Sequence, residues 1–252
     1  MNILNVLRSD FDCFTNIKSS LEDDGFFIKR QAISETTMSA IRESLANLIR
    51  PESKKDESIF DTITRLHLEG DGILYRLHTL STNLTVMNTL REECARWVEL
   101  ILGSDHPIID VNSHIIFSIP NDTRSMWSWH QESTYDFLEE ATGLNFCVPI
   151  FEQASQENGT MSILRGSHKL GKLPFEKQIA LNGSTTLLPK GMETILADYE
   201  EIHFIADPGD MIGFHRDIVH RSNTNSSTRP RITAVVQFAV IDRIPDSLEK
   251  PY

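Results

Sequence analysis

From residue 108 to residue 241 the sequence divides into short runs of β-branched and aromatic residues, and turn-forming residues separate these runs. The breaks include Pro-Asn-Asp at 120–122, Glu-Asn-Gly at 157–159 and Asp-Pro-Gly-Asp at 207–210. Several short strands with turn signals between them are typical of an antiparallel sandwich or jelly roll. The predicted strands are residues 108–119, 144–151, 160–164, 201–205, 211–214 and 232–241.

The first hundred residues have a different pattern and are predicted to be mainly helical. Apolar residues recur at helical spacing in three segments, the second of which starts after the N-cap candidate Ser34 and ends before Pro51. The three predicted helices are residues 11–24, 34–50 and 84–102. Residues 25–30 are predicted to form a short strand, and residues 74–80 a half-buried strand whose polar face includes Arg76 and His78.

Helices that precede a set of strands pack most simply on one face of the β core. We therefore predict a mainly β protein with α-helices, a double-stranded β-helix (jelly roll) with its N-terminal helices packed on the major sheet. A chain of this length commonly forms a barrel or sandwich as a single unit, so residues 1–252 are expected to form one domain.

Charge and cysteine usage restrict the class of partner. The chain has 24 basic and 36 acidic residues, a formal net charge of -12, and no basic run, so nucleic acid is not expected as a partner. Its three cysteines, Cys13, Cys94 and Cys147, are odd in number and far apart, which indicates a reducing compartment. No targeting segment and no 18-residue apolar segment is found, so we expect a cytoplasmic protein without a membrane partner. The sequence does not predict the oligomeric state.

A candidate metal site combines His130 and Glu132 with His220, ninety residues later. Two histidines and one carboxylate are the ligand set that holds one face of a non-heme Fe(II) ion. In an extended strand, residues two apart point to the same face, so His130 and Glu132 are predicted to reach one ion. Taken alone this pattern is weak, because nine histidines in 252 residues produce such a pair easily by chance.

The surrounding motifs make the pattern more specific. In chain order they are Trp129-His130-Gln131-Glu132-Ser133-Thr134-Tyr135, Glu157-Asn158-Gly159, Arg165-Gly166-Ser167-His168-Lys169, Gly209-Asp210 and His220-Arg221-Ser222, with Arg231 eleven residues after His220. In order and spacing the chain resembles the phytanoyl-CoA dioxygenase (PhyH) family of Fe(II)- and 2-oxoglutarate-dependent oxygenases. Weaker similarity reaches back to Gly25.

The resemblance implies that His130, Glu132 and His220 are the catalytic metal ligands for Fe(II), with 2-oxoglutarate as co-substrate and O2 as oxidant. It implies that Arg231 binds the C5 carboxylate of 2-oxoglutarate and that the hydroxyl of Ser222 lies beside it. The expected reaction hydroxylates a small-molecule substrate and releases succinate and CO2. Further expected contacts are Arg76 to the co-substrate, and Tyr135 and Gln131 to the substrate.

Glu132 is the main departure from the family pattern, because most relatives have Asp at this position. Glutamate supplies the same kind of oxygen ligand, one methylene further out. Related halogenating enzymes have a small residue there, so the resemblance implies hydroxylation and not halogenation. A second departure is Arg165, which stands where the family has Pro.

The sequence leaves several alternatives open. Arg229 competes with Arg231 as the co-substrate ligand, and either face of the strand at 108–119, including Asn112 and His114, could turn inward. A jelly-roll metalloenzyme that does not use 2-oxoglutarate and a non-catalytic ligand-binding or sensor protein on the same scaffold are the alternative functions. Residues 51–71 and 174–199 are expected to form a lid, and loops of this kind do not identify the substrate.

Overall fold

The computed structural model describes residues 14–103, 108–122, 126–135, 142–179 and 185–240. Its helices are α1 Phe14–Asp23, α2 Glu35–Ile49, α3 Ile59–Glu69, α4 Ile73–Thr82, α5 Val86–Leu102 and α6 Met192–Asp198. Its strands are β1 Phe26–Lys29, β2 Ile108–Asp110, β3 His114–Ser118, β4 Thr142–Pro149, β5 Met161–Leu164, β6 Phe175–Ile179, β7 Thr185–Pro189, β8 Glu201–His203, β9 Met211–His215, β10 His220–Ser222 and β11 Arg231–Val240.

The major sheet is antiparallel and is organised around β11. Its strand order is β1-β9-β4-β11-β2, and β3 also pairs with β11. A smaller antiparallel sheet has the order β10-β5-β8, and β6 and β7 form a separate hairpin. Within the described residues neither large sheet closes on itself. This arrangement of antiparallel sheets with helices confirms the predicted fold class.

The side chains of β11 alternate between the apolar core on one face of the major sheet and a cavity on the other face. Ile232, Ala234 and Val236 belong to the apolar core that the helices share, whereas Thr233 and Gln237 line a cavity. Successive side chains of a strand point to opposite faces, so one face of the sheet meets helices and the other meets the cavity. The helices bury Met38, Ile41, Leu45, Leu90 and Val98 in that core, which confirms that they pack on the major sheet.

The two sheets are joined by an apolar cluster that both of them supply. Phe26 of β1 and Phe214 of β9 pack with Ile163 of β5 and Ile202 of β8. The rings of Phe26 and Phe204 meet edge to face with centroids 5.1 Å apart, a favourable aromatic geometry. The smaller sheet therefore faces the inner side of the major sheet, and the cavity lies between them.

The strand predicted at residues 74–80 is wrong, because this segment lies within helix α4. Leu77 and Ser81, four residues apart, are the buried positions of α4, and this spacing places both on one helical face. Two further predictions need adjustment. The strand predicted at 108–119 is divided into β2 and β3, which pair with different parts of β11. The region 51–71 contains α3, whose Ser58 and Asp61 form a capping box.

Candidate metal centre and cavity

A cavity of about 740 Å³ lies between the two sheets. Its lining comes from β3, β4, β9, β10 and β11, from helix α4 and from the segment that contains His130. Glu132, His130, His220 and Arg231 all line it. The space is of the size that proteins use for small molecules and cofactors.

Backbone pairing brings the two histidines together. The amide of His130 donates to the carbonyl of His220 at 2.9 Å, and the amide of His220 donates to the carbonyl of His130 at 3.0 Å. Residues paired in this way are direct neighbours across two antiparallel segments. The imidazole centroids consequently lie 4.2 Å apart, although ninety residues separate the two positions.

Both imidazoles are oriented by backbone carbonyl groups. Nδ1 of His130 lies 2.7 Å from the carbonyl oxygen of Ser128, and Nδ1 of His220 lies 3.1 Å from that of Ile218. A hydrogen on Nδ1 satisfies these contacts and leaves the lone pair on Nε2. The two Nε2 atoms lie 3.3 Å and 3.4 Å from Oε1 of Glu132.

The donor set fits a metal ion. One ligand atom from each of His130, Glu132 and His220 lies within 4.8 Å of the others, and the described residues contain no second group of this kind. Two imidazole nitrogens and one carboxylate oxygen on one side of an open cavity match the facial triad of non-heme Fe(II) proteins. The remaining coordination positions would face the cavity.

The protonation states of these groups also suit metal binding. Burial alone would raise the pKa of Glu132, but its hydrogen bonds to His130 and His220 and their charges hold this pKa well below the ordinary value. Burial, followed by repulsion from His130, lowers the pKa of His220. An ionised carboxylate and a neutral imidazole are the forms that coordinate a metal.

Glu132 lies where the extended segment that contains His130 turns into a short 3-10 turn. His130 is paired in extended conformation, but Glu132 begins a short 3-10 turn, Glu132–Thr134. The amide of Ser133 in this turn donates to the carbonyl of Arg216 at 3.2 Å. Gln131, between the two residues, has an extended backbone with φ -121° and ψ 138°. The side chains of His130 and Glu132 therefore point to one side, as their spacing of two predicted, and the turn begins only after that point.

Arg231 lies at another part of the same cavity and is 8% exposed. Its Nε donates to the carbonyl of Asn158 at 3.0 Å, one terminal nitrogen donates to that of Gly159 at 2.7 Å, and the other donates to the hydroxyl of Thr233. An arginine has five N–H groups, so one N–H remains on each terminal nitrogen after these three contacts. Two parallel N–H groups are the fork that binds a carboxylate.

No carboxylate within the described residues forms an ion pair with Arg231. Burial lowers the pKa of Arg231 to about 10, which still leaves the guanidinium charged at neutral pH. The carbonyl that binds it belongs to Gly159, whose φ of 75° is in the left-handed region. A Cβ at Gly159 would lie 2.7 Å from the carbonyl oxygen of Asn223, so this turn requires glycine.

The competing residue Arg229 is placed outside the cavity. Its side chain is 62% exposed, and NH1 lies 3.2 Å from Oε1 of Glu152. Its guanidinium also lies over the ring of Phe60 at 5.3 Å. Of the two arginines, only Arg231 lines the cavity.

The other predicted site residues divide into two groups. Ser222 and Tyr135 line the cavity, and the hydroxyl of Tyr135 accepts a hydrogen bond from the amide of Leu187 at 2.9 Å. Arg76 is exposed on α4 and Gln131 is buried away from the cavity, so the structure brings neither of them to the site. The prediction for Arg76 requires a strand at 74–80, whereas helix α4 leaves the Arg76 side chain exposed and brings Tyr75 and His78 to the cavity.

Gln131 joins three backbone segments. Its Nε2 donates to the carbonyls of Gly171 at 2.8 Å and Asp217 at 2.6 Å, and its Oε1 accepts from the amide of Leu173 at 2.8 Å. All three of these side-chain hydrogen bonds are made to backbone groups. This residue holds the segment that carries His130 and Glu132 in place, and its side chain does not line the cavity.

Gln131→Leu is expected to lower the free energy of unfolding by about 2 to 4 kcal/mol, because it leaves three half-buried backbone groups without their side-chain partner. Chemical denaturation would measure this change. The matched control is Gln153→Leu, since Gln153 is exposed and its amide donates to Asp207 at the surface. An equal loss in both variants, or no loss in Gln131→Leu, would contradict the assigned role.

Several cavity residues were missed by the sequence analysis. Thr233 and Gln237 of β11, and Asn145 and Cys147 of β4, line the cavity. The sequence of β11 could have indicated its two lining residues, because polar residues at 231, 233 and 237 alternate with apolar ones and therefore share one face of the strand. The open question about the strand at 108–119 is also answered, because Asn112 and His114 both line the cavity.

Among the described residues of the two predicted lid segments, none lines the cavity. Residues 51–71 lie away from the cavity, and within 174–199 the described part forms β6, β7 and α6. The second segment contacts the site indirectly, through Leu187 and Tyr135 and through packing of Leu188 and Met192 near Trp129. Among the described helices none is long and apolar enough to cross a membrane.

Two antiparallel sheets around a cavity, with two imidazoles and a carboxylate converging inside it, define a jelly-roll protein of the non-heme Fe(II) class. The fold is similar to that of AviO1 from Streptomyces viridochromogenes Tue57, with a TM-score of 0.61 and 16% identity over 92% of this chain and 97% of the other. It is also similar to EctD from S. alaskensis with 2-oxoglutarate and 5-hydroxyectoine, with a TM-score of 0.59 and 16% identity over 94% and 79%.

The chain belongs to the phytanoyl-CoA dioxygenase (PhyH) family, whose model matches residues 21–233. It is 22% identical over 212 residues to the peroxisomal phytanoyl-CoA dioxygenase of Rattus norvegicus, covering 81% of this chain and 62% of the rat protein. It is 24% identical over 244 residues to the Homo sapiens protein, covering 88% and 67%. The matched region therefore spans about two thirds of these relatives.

Proposed function

We propose that this protein is an Fe(II)- and 2-oxoglutarate-dependent dioxygenase that hydroxylates a small molecule. The observation that carries the proposal is the placement of His130, Glu132, His220 and Arg231 on one cavity. Family membership and the similarity to a structure that contains 2-oxoglutarate support it. Bound at the triad, Fe(II) supplies the activation of O2 that couples oxidation of the substrate to conversion of 2-oxoglutarate into succinate and CO2.

The chain's own residues position the reactants. His130, Glu132 and His220 hold the metal on one side and leave the cavity side open. Arg231 binds the distal carboxylate of 2-oxoglutarate through its two remaining N–H groups, and Ser222 lines the cavity as a further polar group. Because Glu132 occupies the carboxylate position, the proposed outcome is hydroxylation and not halogenation.

The geometry of Arg231 favours this proposal over a metalloenzyme that does not use 2-oxoglutarate. A buried cation without a carboxylate partner in the described structure is costly, so a bound anion would offset that cost. The same geometry disfavours a non-catalytic scaffold, because three metal ligands and a carboxylate site would have no use in it. The cytoplasmic location and the single domain over residues 1–252 stay predictions within this proposal.

Purified protein supplied with Fe(II), 2-oxoglutarate and O2 is expected to form succinate in amounts equimolar with the 2-oxoglutarate consumed, although slowly when no substrate is present. Omitting Fe(II) or O2 should stop succinate formation, and a small-molecule library should contain compounds that accelerate it. Chromatographic measurement of both acids provides the test. Failure to consume 2-oxoglutarate in the iron-loaded protein would contradict the proposed reaction.

A further inference from the structure

The cavity wall at one end of β11 carries two neutral amides. Asn145 of β4 and Gln237 of β11 are directly paired across the two strands, and both line the cavity. They are 2% and 6% exposed. Side chains at directly opposed positions have Cβ atoms roughly 4.5 to 5.5 Å apart, so the two carboxamides lie side by side.

These two amides lack partners in the described structure. Nδ2 of Asn145 is buried without a hydrogen bond, and the described residues provide no side-chain hydrogen bond to Gln237. Other buried amides behave differently: Asn225 donates to the carbonyls of Ser118 and Arg229, both at 2.8 Å. An unpartnered buried amide reduces stability, so its position on a cavity wall indicates that a ligand supplies the partner.

A third neutral group lies beside the amides. His114 of β3 pairs with Val235, two residues from Gln237 on β11, and its Nδ1 is buried without a partner. Burial, followed by the neighbouring His78, lowers the pKa of His114, so the imidazole is neutral. We name Asn145, Gln237 and His114 the polar wall.

The polar wall is separate from the proposed co-substrate site. Gln237 is six residues from Arg231 along the same strand, a distance of about 20 Å at the usual rise of an antiparallel strand. Arg216 also lines the cavity and packs beside Gly143 of β4: its δ-carbon lies 3.1 Å from where a Cβ on Gly143 would be. Arg216 takes part in an interaction of its own and is not counted in the polar wall.

We propose that the substrate is a small neutral molecule that presents hydroxyl, carbonyl or carboxamide groups to the polar wall. This inference rests on the proposed function and specifies its substrate class. Amides and a neutral imidazole each donate and accept, so they complement groups that do the same. An acyl chain would leave them unpaired, and a carboxylate would lose its hydration without a new counter-charge from the wall.

The first test measures stability without any ligand. Asn145→Leu removes an unpartnered amide and is expected to raise the Tm by about 2 to 6 °C. The control Asn225→Leu makes the same substitution at a partnered amide and is expected to lower the Tm. A fall in Tm for Asn145→Leu similar to that for Asn225→Leu would show that Asn145 is structural and would overturn the proposal.

The second test uses three probes of one shape on protein loaded with Zn(II) and 2-oxoglutarate: cyclohexanecarboxamide, cyclohexanecarboxylate and methylcyclohexane. Saturation-transfer NMR is expected to show saturable binding of the carboxamide, weakened at least about tenfold in Asn145→Leu and in Gln237→Leu. Tighter or equal binding of either other probe, no carboxamide binding at millimolar concentration, or carboxamide binding unchanged in both variants would overturn the proposal.

The same samples separate failure of this inference from failure of the proposed function. Zn(II) content and 2-oxoglutarate affinity are measured before the probes are added, and both are expected to be unchanged in Asn145→Leu and Gln237→Leu. If the unmutated protein binds neither the metal nor 2-oxoglutarate, the dioxygenase proposal is contradicted. The Tm comparison of Asn145→Leu with Asn225→Leu does not depend on that result and still tests the role of the polar wall.

Discussion

His220→Ala is expected to abolish stoichiometric Fe(II) binding and to reduce 2-oxoglutarate turnover by more than about 100-fold. The variant removes one of three protein ligands and leaves two donors, His130 and Glu132, to hold the ion. Alanine keeps the backbone amide and carbonyl that pair with His130, so the local fold should persist. Metal analysis of the purified variant, together with a succinate assay, measures both effects.

The control for this experiment is His168→Ala. His168 belongs to the same set of sequence motifs, but its Nε2 contacts the carbonyl of Glu22 at 3.1 Å and it is not one of the converging ligands. Iron content should therefore stay at one per chain in this variant. Full iron content in His220→Ala, or its loss in His168→Ala alone, would place the metal elsewhere.

Arg231→Lys is expected to weaken 2-oxoglutarate binding by about 10- to 100-fold while Fe(II) binding stays intact. A lysine keeps the positive charge but has a single nitrogen in place of the planar fork. Arg231 donates three hydrogen bonds, to Asn158, Gly159 and Thr233. These bonds fix the plane of the guanidinium and therefore the direction of its two remaining N–H groups. Charge-assisted hydrogen bonds contribute roughly 1.5 to 3 kcal/mol each, and each 1.4 kcal/mol is a factor of ten.

Arg229→Lys provides the matched comparison, because Arg229 precedes the same strand but is exposed and paired with Glu152. Its 2-oxoglutarate affinity should equal that of the unmutated protein. Titration calorimetry with Zn(II) in place of Fe(II) separates co-substrate binding from turnover. A larger loss in Arg229→Lys than in Arg231→Lys would overturn the assignment of Arg231.

The strands of the jelly roll were predictable because their apolar runs are short and turn residues mark their ends. The helix at 74–80 was not predictable, since seven residues of mixed polarity fit both the helical and the strand period over so short a length. Only contact with the core selects the helix, through burial of Leu77 and Ser81 at a spacing of four. Local sequence carries no information about which neighbour a short segment will meet.

The order of motifs predicted which residues meet at the candidate metal site, but it did not predict the backbone pairing that brings the two histidines together. His130 and His220 meet because two distant segments pair, and Glu132 reaches them from a 3-10 turn. Gln131, between His130 and Glu132, is predicted to contact the substrate, whereas its side chain forms hydrogen bonds to three backbone groups. A motif fixes residue identity, while the direction of each side chain depends on long-range contacts.

The central claim is that His130, Glu132 and His220 hold an iron ion to which 2-oxoglutarate binds under the control of Arg231. Anaerobic addition of 2-oxoglutarate to the Fe(II)-loaded protein, followed by visible absorption, tests it most directly, because chelation of Fe(II) by a 2-oxo acid gives a metal-to-ligand charge-transfer band. We expect this band to saturate at one 2-oxoglutarate per chain, to be absent in His220→Ala, and to require a higher 2-oxoglutarate concentration in Arg231→Lys. Absence of the band in the unmutated protein, or an unchanged band in His220→Ala, would contradict the claim.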